Sequence, residues 1–278
     1  FMTKFIDKET KLPLPSYDLW EERHGVHTFT VATVVAGIRA AGHFAAAFGE
    51  HNRAKKYFSV ADEMKNAMIK HLYNKAEKRF ARMGKKKGNG YELDMNVDAS
   101  LCGLFSFGVF SPYDPLVQST MQAVKDVLWV KTHVGGIARY VGDNYHRVSG
   151  DVNNVPGNPW FICTMWLAEY EIARAQNEND LKKALSILEW VADHSLPSGV
   201  LAEQINPYTN EPVSVSPLTW SHATVVTTVI KYLEKMSLLI SGNAYAYSRY
   251  NSNRYASSAY KEEIPVGEEY PVACSNTV

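Results

Sequence analysis

Helical periodicity dominates the pattern of hydrophobic and polar positions along the chain. The clearest stripe begins after Thr28, where apolar residues recur at spacings of three and four, as on one face of an α-helix. Its members are Val31, Val34, Val35, Ile38, Ala41, Ala45 and Phe48. Similar patterns predict helices that begin near His27, Arg53, Asp98, Pro115, Pro159, Asp180 and Ser221. The last of them carries the stripe Val225, Val226, Val229, Leu233 and Met236. Alternating strand patterns are nearly absent, so we predict an all-α protein of paired helices.

The segments between the predicted helices are alternately short and long. Residues 75–89 are polar and rich in lysine and glycine, which predicts a surface loop. Residues 137–159 mix polar and aromatic side chains, which favours a functional loop. Residues 241–278 are rich in tyrosine, serine and asparagine with little periodicity, so we expect an irregular tail, extended over the surface or partly disordered. The chain is therefore divided into a helical domain, residues 1–240, and this tail.

Composition and charge narrow the classes of partner. The 278 residues are 46% hydrophobic and carry 29 basic and 29 acidic side chains, as expected for a globular protein with a sizeable core. A net charge of +0 argues against a nucleic-acid partner, and the basic run 85–87 is interpreted as a solvated loop. No membrane partner is expected, because Arg39 interrupts the nearest apolar run, residues 29–41. The three cysteines are widely spaced, which predicts neither a disulfide framework nor a zinc site.

Two groups of residues have the chemistry of a glycoside hydrolase, which needs two carboxyl groups on opposite sides of the scissile bond. Glu21 and Glu22 lie in a cluster of acids and aromatics, residues 17–23, where desolvation and like-charge repulsion would raise one carboxyl pKa. Glu203 lies in a second long loop, and a tryptophan follows it. Aromatic faces stack on sugar rings, and carboxylates bind hydroxyls. Taken alone, these residues are better explained as solvated surface charges and core aromatics.

Four segments, in chain order, resemble the active-site segments of glucoamylases, the family fifteen glycoside hydrolases. They are LPLPSYDLWEER at 12–23, GIARY at 136–140 with NPWF at 158–161, AEQ at 202–204, and PLTWS at 217–221. In that order, they resemble the acid-bearing segment, the substrate-binding loop with its following helix, the base-bearing loop and the start of the last helix. Four ordered matches are far more specific than any one of them.

The resemblance implies a fold, a mechanism and a set of roles. The fold is an (α/α)6 toroid of six helical hairpins. Glu21 is the general acid, and Glu203 is the general base that activates a water for single displacement with inversion at the anomeric carbon. The mechanism needs no metal and no cofactor. The side chains implied in substrate binding are Asp18, Trp20, Glu22, Arg139 and Trp220.

Three of these residues keep a structural alternative. Glu22 could tune the neighbouring acid by repulsion without touching a sugar. Arg139 could form a salt bridge with Asp143 that only shapes the loop, and Trp220 could cap the core at the start of the last helix. Trp160 is expected to pack rather than to contact a ligand.

The seven predicted helices are fewer than the twelve of the family's toroid. The resemblance makes them the sixth to the twelfth, so the first five, and the β-sandwich that precedes the toroid in prokaryotic members, have no counterpart. What remains is an open arc whose apolar ends stay exposed unless something covers them. A fragment of a longer protein is the preferred explanation; a split enzyme and a pair of identical chains are the alternatives. The expected partner is therefore the missing N-terminal half or a second copy, and we expect the isolated chain to be inactive or nearly so.

The resulting hypothesis is an exo-acting hydrolase that releases glucose from the non-reducing ends of α-1,4-glucans. Hydrolysis of α-1,6-linked dextran or of trehalose is an alternative within the family, although residues 18–22 look more like the starch-acting pattern. A hypothesis from another class is a non-catalytic carbohydrate-binding subunit that completes a site with a partner chain. The chain opens with Phe1 and Met2 and has no signal sequence, so the cytoplasm is preferred unless the true N-terminus lies elsewhere.

Overall fold

Seven α-helices make up about half of the computed structural model, which describes residues 1–88 and 90–240. Within this part of the chain they are α1 (Thr28–Ala47), α2 (His51–Leu72), α3 (Gly103–Ser106), α4 (Pro115–Leu128), α5 (Phe161–Arg174), α6 (Glu178–His194) and α7 (Thr219–Ile240). A 3₁₀ turn, Ala99–Cys102, leads directly into α3. When that turn is counted as the start of the third helix, each helix begins within two residues of its predicted position. The predicted tail, residues 241–278, lies outside the described residues.

Short connections join the helices into pairs, as predicted. Three residues separate α1 from α2, which pack against each other, and three separate α5 from α6. α7 packs against both α5 and α6. The predicted acid lies in the segment before α1, the predicted arginine in the connection between α4 and α5, and the predicted base in the connection between α6 and α7.

Short strands amend the all-helical prediction. In chain order they are β1 (Ser16–Tyr17), β2 (His24–His27), β3 (Tyr73–Asn74), β4 (Arg79–Phe80), β5 (Met83–Lys87), β6 (Gly90–Asp94), β7 (Gln204–Ile205) and β8 (Pro212–Val213). One antiparallel sheet has the order β1-β2-β5-β6, and β3–β4 and β7–β8 are separate pairs.

The prediction of a surface loop over residues 75–89 is therefore wrong. β5 begins with two buried residues and ends with three exposed lysines, so it lacks the period-two alternation that marks a half-buried strand. Its pairing with β2 and β6 comes from the tertiary fold, which overrides the weak local preference.

The sheet holds the segment that carries Glu21. β1 and β2 pair directly, so residues 18–23 form the connection between them. β2 continues into α1, where Thr28 donates a hydrogen bond from Oγ1 to the Ala81 carbonyl oxygen at 2.6 Å. The acid-bearing turn is therefore fixed at its C-terminal side to both the sheet and the first helix.

The main hydrophobic core lies between α1, α2, α4 and α5. Its largest fully buried side chains include Phe80, Phe110, Phe161, Leu104, Met64 and Met121. A smaller cluster joins α5 and α6 to α7 and contains Ile172, Ala175, Leu181 and Ala184. The chain thus forms a continuous core despite its expected place in a larger ring.

α7 is amphipathic in an unexpected way: its most buried residues are polar, with Val225, Tyr232, Met236 and Leu239 packing beside them, and a second apolar face points outward. Its buried residues are Ser221, Thr224, Thr228 and Lys235. The stripe predicted from the sequence is largely exposed, with Val226 at 58% and Leu233 at 51%. The inner face meets a carboxylate of α5, because Glu169 accepts hydrogen bonds from Thr228 Oγ1 at 3.2 Å and from Lys231 Nζ at 2.7 Å. An exposed apolar helix face of this kind is typical of an interaction surface.

Among the described residues, α1 is the one helix with the length and apolar composition to cross a membrane. Arg39 lies within it, and its guanidinium donates hydrogen bonds at 3.1 Å to Asp62 and to the Gly108 carbonyl oxygen. The helix also packs against α2. These contacts join one face of α1 to the hydrophobic core, and 33% of its apolar window is buried.

The backbone at Gly136 leads into the loop that carries Arg139. Its φ of +84° is in the left-handed region, and a Cβ there would lie 2.6 Å from the Trp190 ring and 2.8 Å from Pro159 Cβ. Gly142 has a similar φ, +79°, with open space around it.

We expect Gly136→Ala to lower the free energy of unfolding by roughly 1–3 kcal/mol more than Gly142→Ala, which bears only the conformational cost. Urea unfolding measures the difference, and equal losses would contradict it.

Candidate active site

The turn between β1 and β2 presents Glu21 to solvent. Asp18 closes this turn, because its Oδ1 accepts backbone hydrogen bonds from Glu22 at 2.8 Å and from Arg23 at 3.2 Å. Glu21 has a φ of +58°, which is uncommon for a residue with a Cβ, and its side chain is exposed. The resemblance implied that Asp18 lines a pocket; in the structure its contacts hold the shape of the acid-bearing turn.

Glu22 points the other way, into a network with the arginine of the 137–159 loop. Its Oε1 accepts a hydrogen bond from Arg139 Nη2 at 2.7 Å. Its Oε2 accepts from Tyr140 Oη and from Arg23 Nη1, both at 2.6 Å. Arg139 also binds Asp143 through two hydrogen bonds of 2.8 and 2.6 Å, the bidentate geometry that favours arginine over lysine. The salt bridge proposed for Arg139 therefore coexists with its contact to Glu22.

Electrostatics keep this network in one protonation state. Burial alone would raise the pKa of Glu22, but the hydrogen bond from Tyr140 and the charges of Arg139 and Arg23 outweigh it and lower that pKa. Burial alone would lower the pKa of Arg139, but the bonds to Asp143 raise it. Burial and the bond to Glu22 raise the pKa of Tyr140 to about 12. Glu22 thus stays a carboxylate and Tyr140 a hydrogen-bond donor near neutral pH.

Tryptophan rings surround this network. Trp20 lies close to three other indoles. The distances from its ring centroid are 6.0 Å to Trp160, 6.0 Å to Trp166 and 6.3 Å to Trp220. The Arg139 guanidinium carbon is 5.1 Å from the ring centres of both Trp20 and Trp160, within cation–π range. Trp160 is buried, as expected for a packing residue, whereas Trp220 is 39% exposed and offers part of its ring to solvent. We call Trp20, Trp160, Trp166 and Trp220 the indole cluster.

Glu203 lies directly before Gln204, whose backbone pairs with Trp160 of the indole cluster. Its carboxylate accepts hydrogen bonds at Oε2 from Ser214 Oγ and, at 3.4 Å, from Gln204 Nε2. Gln204 is fully buried, pairs with Trp160 in a β-bridge and accepts a 2.8 Å hydrogen bond from Asn158. The base-bearing segment is therefore anchored at Trp160, which the acid-bearing segment contacts through Trp20.

Several residues of the site were not singled out by the sequence. Asp98 was predicted only as the start of a helix, and its side chain caps the turn that begins there, since Oδ1 accepts from Ser100 N at 2.8 Å. The Trp20 indole also donates to both oxygens of Asp98, at 3.1 and 3.2 Å. Burial raises the pKa of Asp98, although the bond from Ser100 and the charge of Arg82 oppose the rise. Nothing in the local sequence links residues 78 positions apart.

Tyr140 and Tyr145 could have been found from the sequence, because the 137–159 loop was identified as functional on its aromatic content. Ser214 and Trp166 carry no such signal, since one lies in a loop without periodicity and the other fits the apolar face of a helix.

In the described ranges 1–88 and 90–240, no group of three or more His, Cys, Asp or Glu side chains has the geometry to hold a metal ion.

Helical hairpins with loop-borne glutamates, closely packed indoles and a paired arginine are typical of helical hydrolases of carbohydrates. The sequence profile of Glycosyl hydrolases family 15 matches residues 5–185 and 178–230. The chain therefore belongs to glycoside hydrolase family 15, and its fold is of the (α/α)6 toroid type found in the glucoamylases of that family.

Individual relatives agree with this assignment. An uncharacterized glycosyl hydrolase of Methanocaldococcus jannaschii is 31% identical over 219 residues, which are 75% of this chain and 33% of the relative. A glucoamylase of Clostridium sp. is 27% identical over 237 residues, covering 77% of this chain and 33% of the relative. A crystal structure of a bacterial glucoamylase complexed with acarbose superposes with a TM-score of 0.69 at 25% identity, covering 84% of this chain and 37% of that one. The chain thus spans about a third of the length of these proteins.

The lowered pKa of Glu22 predicts how stability depends on pH. Its contribution is fully present above the unfolded-state value of 4.5 and is lost as the pH falls through the lower folded-state value. We expect melting temperatures to fall less steeply for Glu22→Gln than for the wild type between about pH 5 and about pH 3. Tyr140→Phe, which removes one donor to the carboxylate, should give an intermediate slope. Parallel melting curves for all three proteins would contradict the network described above.

Proposed function

We propose that this chain carries the acid and base of an exo-acting α-glucan hydrolase that releases glucose from non-reducing ends with inversion at the anomeric carbon. The observation that carries the proposal is the attachment of the Glu21 and Glu203 segments to one indole cluster, with the Glu22–Arg139 pair beside it. Family membership and the glucoamylases among the relatives support the same assignment.

The proposed reaction is a single displacement. Glu21, in its protonated form, donates a proton to the glycosidic oxygen as the C1–O bond breaks, and Glu203, in its ionised form, removes a proton from the water that attacks C1 on the opposite face. Within the described residues, both hydrogen bonds to the Glu203 carboxylate reach Oε2, so Oε1 is available to that water. A residue that presents its side chain to solvent, as Glu21 does, is accessible to an incoming chain end.

The neighbouring side chains suit a neutral sugar. Glu22 and Arg139 present charged hydrogen-bonding groups for hydroxyls of the terminal ring, and the partly exposed face of Trp220 offers a stacking surface. The charge balance of +0 gives no attraction for a polyanion. Because one of the superposed glucoamylases was crystallised with acarbose, acarbose is the ligand of choice for a binding test.

Two alternative functions can be distinguished from this one by substrate and binding assays. Activity on α-1,6-linked dextran or on trehalose would keep the mechanism and change the linkage, and a panel of maltooligosaccharides, isomaltooligosaccharides and trehalose distinguishes them. A non-catalytic subunit would bind acarbose without releasing glucose from any of these substrates. The exposed carboxyl of Glu21 favours the catalytic hypothesis, since a binding role does not require it.

The proposed partner is the part of the toroid that this chain does not span. The exposed apolar face of α7, formed by Val226, Val229, Ile230 and Leu233, is where that part would pack. Without a partner, the apolar side chains of this face would stay in contact with water, which is unfavourable in free energy. A second copy of the chain would cover the same face by forming a homodimer, which the experiment below detects.

Substitution of either proposed carboxylate should abolish hydrolysis. The test protein is a chimera in which this chain replaces the matching part of the Methanocaldococcus relative, so that a whole toroid is present. We expect Glu21→Gln and Glu203→Gln each to lower kcat about 10²–10⁴-fold, because each removes a proton transfer. Glu92→Gln, on an exposed strand position, is the matched control. Full activity in either variant, or a first product that retains its anomeric configuration, would refute the mechanism.

The same chimera tests the partner surface. In the isolated chain, replacing Val226 and Leu233 together by glutamate should change the free energy of unfolding little, since both side chains are exposed. In the chimera the same pair should cost about 3 kcal/mol or more, because unpaired charges would be buried. Thr227→Glu, an exposed position on the side of α7, is the control. Equal effects in the two proteins, or a stable homodimer of the isolated chain in sedimentation, would overturn the proposed occupant.

A further inference from the structure

Asp98 lies at the junction of the segments that build the candidate site. Its side chain is fully buried, between the acid-bearing turn and the arginine-bearing loop. Its backbone forms a β-bridge with Tyr140, and the next amide, of Ala99, donates a 2.9 Å hydrogen bond to the Arg139 carbonyl oxygen. Through its side chain it reaches Trp20, the residue directly before Glu21. One buried residue thus touches both loops that carry the proposed site.

The contacts of Asp98 exceed those of a helix cap. A cap needs one side-chain oxygen, and Ser, Thr or Asn in this position would provide it without burying a charge. Both oxygens of Asp98 face the Trp20 indole N–H, at 3.1 and 3.2 Å. The nearest cation, Arg82 Nη1, lies 3.8 Å away and makes no hydrogen bond to a described side chain. The carboxylate is therefore directed at the indole, with Arg82 balancing its charge from a distance.

Fixing the indole N–H fixes the orientation of the whole ring. A tryptophan ring can adopt several orientations about χ2. In Trp20 the hydrogen bond from Nε1 to Asp98 selects one of them, because a flipped ring would lose the partner of its single donor. The oriented ring then contacts Trp160, Trp166 and Trp220. The backbone that carries it continues into Glu21, which holds a φ of +58°.

We propose that Asp98 is a positioning residue that orients the Trp20 indole and, through it, the turn that presents Glu21. The consequence for catalysis rests on the role proposed for Glu21, whereas the coupling from Asp98 to the turn does not. The alternative is that Asp98 acts only as the cap of the Ala99–Cys102 turn.

The test uses NMR on the 278-residue chain labelled with ¹⁵N, in which each of the six tryptophans contributes one indole N–H signal. Trp20→Phe assigns the Trp20 signal. Asp98→Asn keeps the size of the side chain and an oxygen for the cap, but replaces the second acceptor oxygen by an amide N–H donor. We expect the Trp20 N–H signal to move and its hydrogen exchange to quicken at least tenfold, and the Glu21 amide signal to move with it. Asp114→Asn makes the same change at the cap of α4, where the side chain accepts only from Leu116 N, and should leave both signals unchanged.

A second arm measures acarbose affinity by calorimetry on the chimera described above, with and without each substitution. We expect Asp98→Asn to weaken binding at least tenfold and Asp114→Asn to leave it unchanged. Unmoved Trp20 and Glu21 signals in Asp98→Asn would overturn the proposal, as would an equal response to Asp114→Asn. A chimera that does not bind acarbose would count against the proposed function, and the NMR arm would still decide whether Asp98 positions the turn.

Discussion

The burial of the Arg139 guanidinium is the constraint on which the rest of the site depends. A cation that is only 4% exposed must be paired, because an unpaired buried charge is among the most costly defects in a protein. Its carboxylate partners come from two places, Asp143 in its own loop and Glu22 in the turn between β1 and β2. The rings of Trp20 and Trp160 cover its faces. Satisfying one charge therefore draws together segments that are more than 110 positions apart in the chain.

The same pairing divides two adjacent glutamates into different roles. Glu22 is committed to Arg139, Tyr140 and Arg23, and its lowered pKa keeps it ionised. Glu21, one residue earlier, adopts a left-handed backbone conformation and turns its side chain to solvent. Neighbouring residues in an extended segment would point to opposite faces in any case, but the tight turn closed by Asp18 fixes which one faces the site. A single electrostatic network can thus hold one carboxylate in place and leave the next available for chemistry.

The sequence predicted the helices well and the finer contacts poorly, for physical reasons. Apolar stripes repeat every three to four residues over many turns, so every helix start was found within two residues. The strand Met83–Lys87 was missed because pairing with its neighbours, not local pattern, makes it a strand. Resemblance to known motifs selected Glu22, Arg139 and Trp20, and these lie together. It did not select Asp98 or Ser214, whose roles depend on distant chain segments.

α7 reveals the limit of reasoning from amphipathic patterns within one chain. The pattern identified the apolar face correctly, but the face buried here is the one that carries Thr224, Thr228 and Lys235. Thr228 and Lys231 satisfy Glu169 of α5, so the polar side has specific partners inside the chain. A helix with both faces adapted to contact, one by hydrogen bonds and one by apolar side chains, is suited to lie between two layers. Under the proposed function, the outward stripe marks the face on which the rest of the toroid would pack, and the chain spans about a third of the length of its relatives.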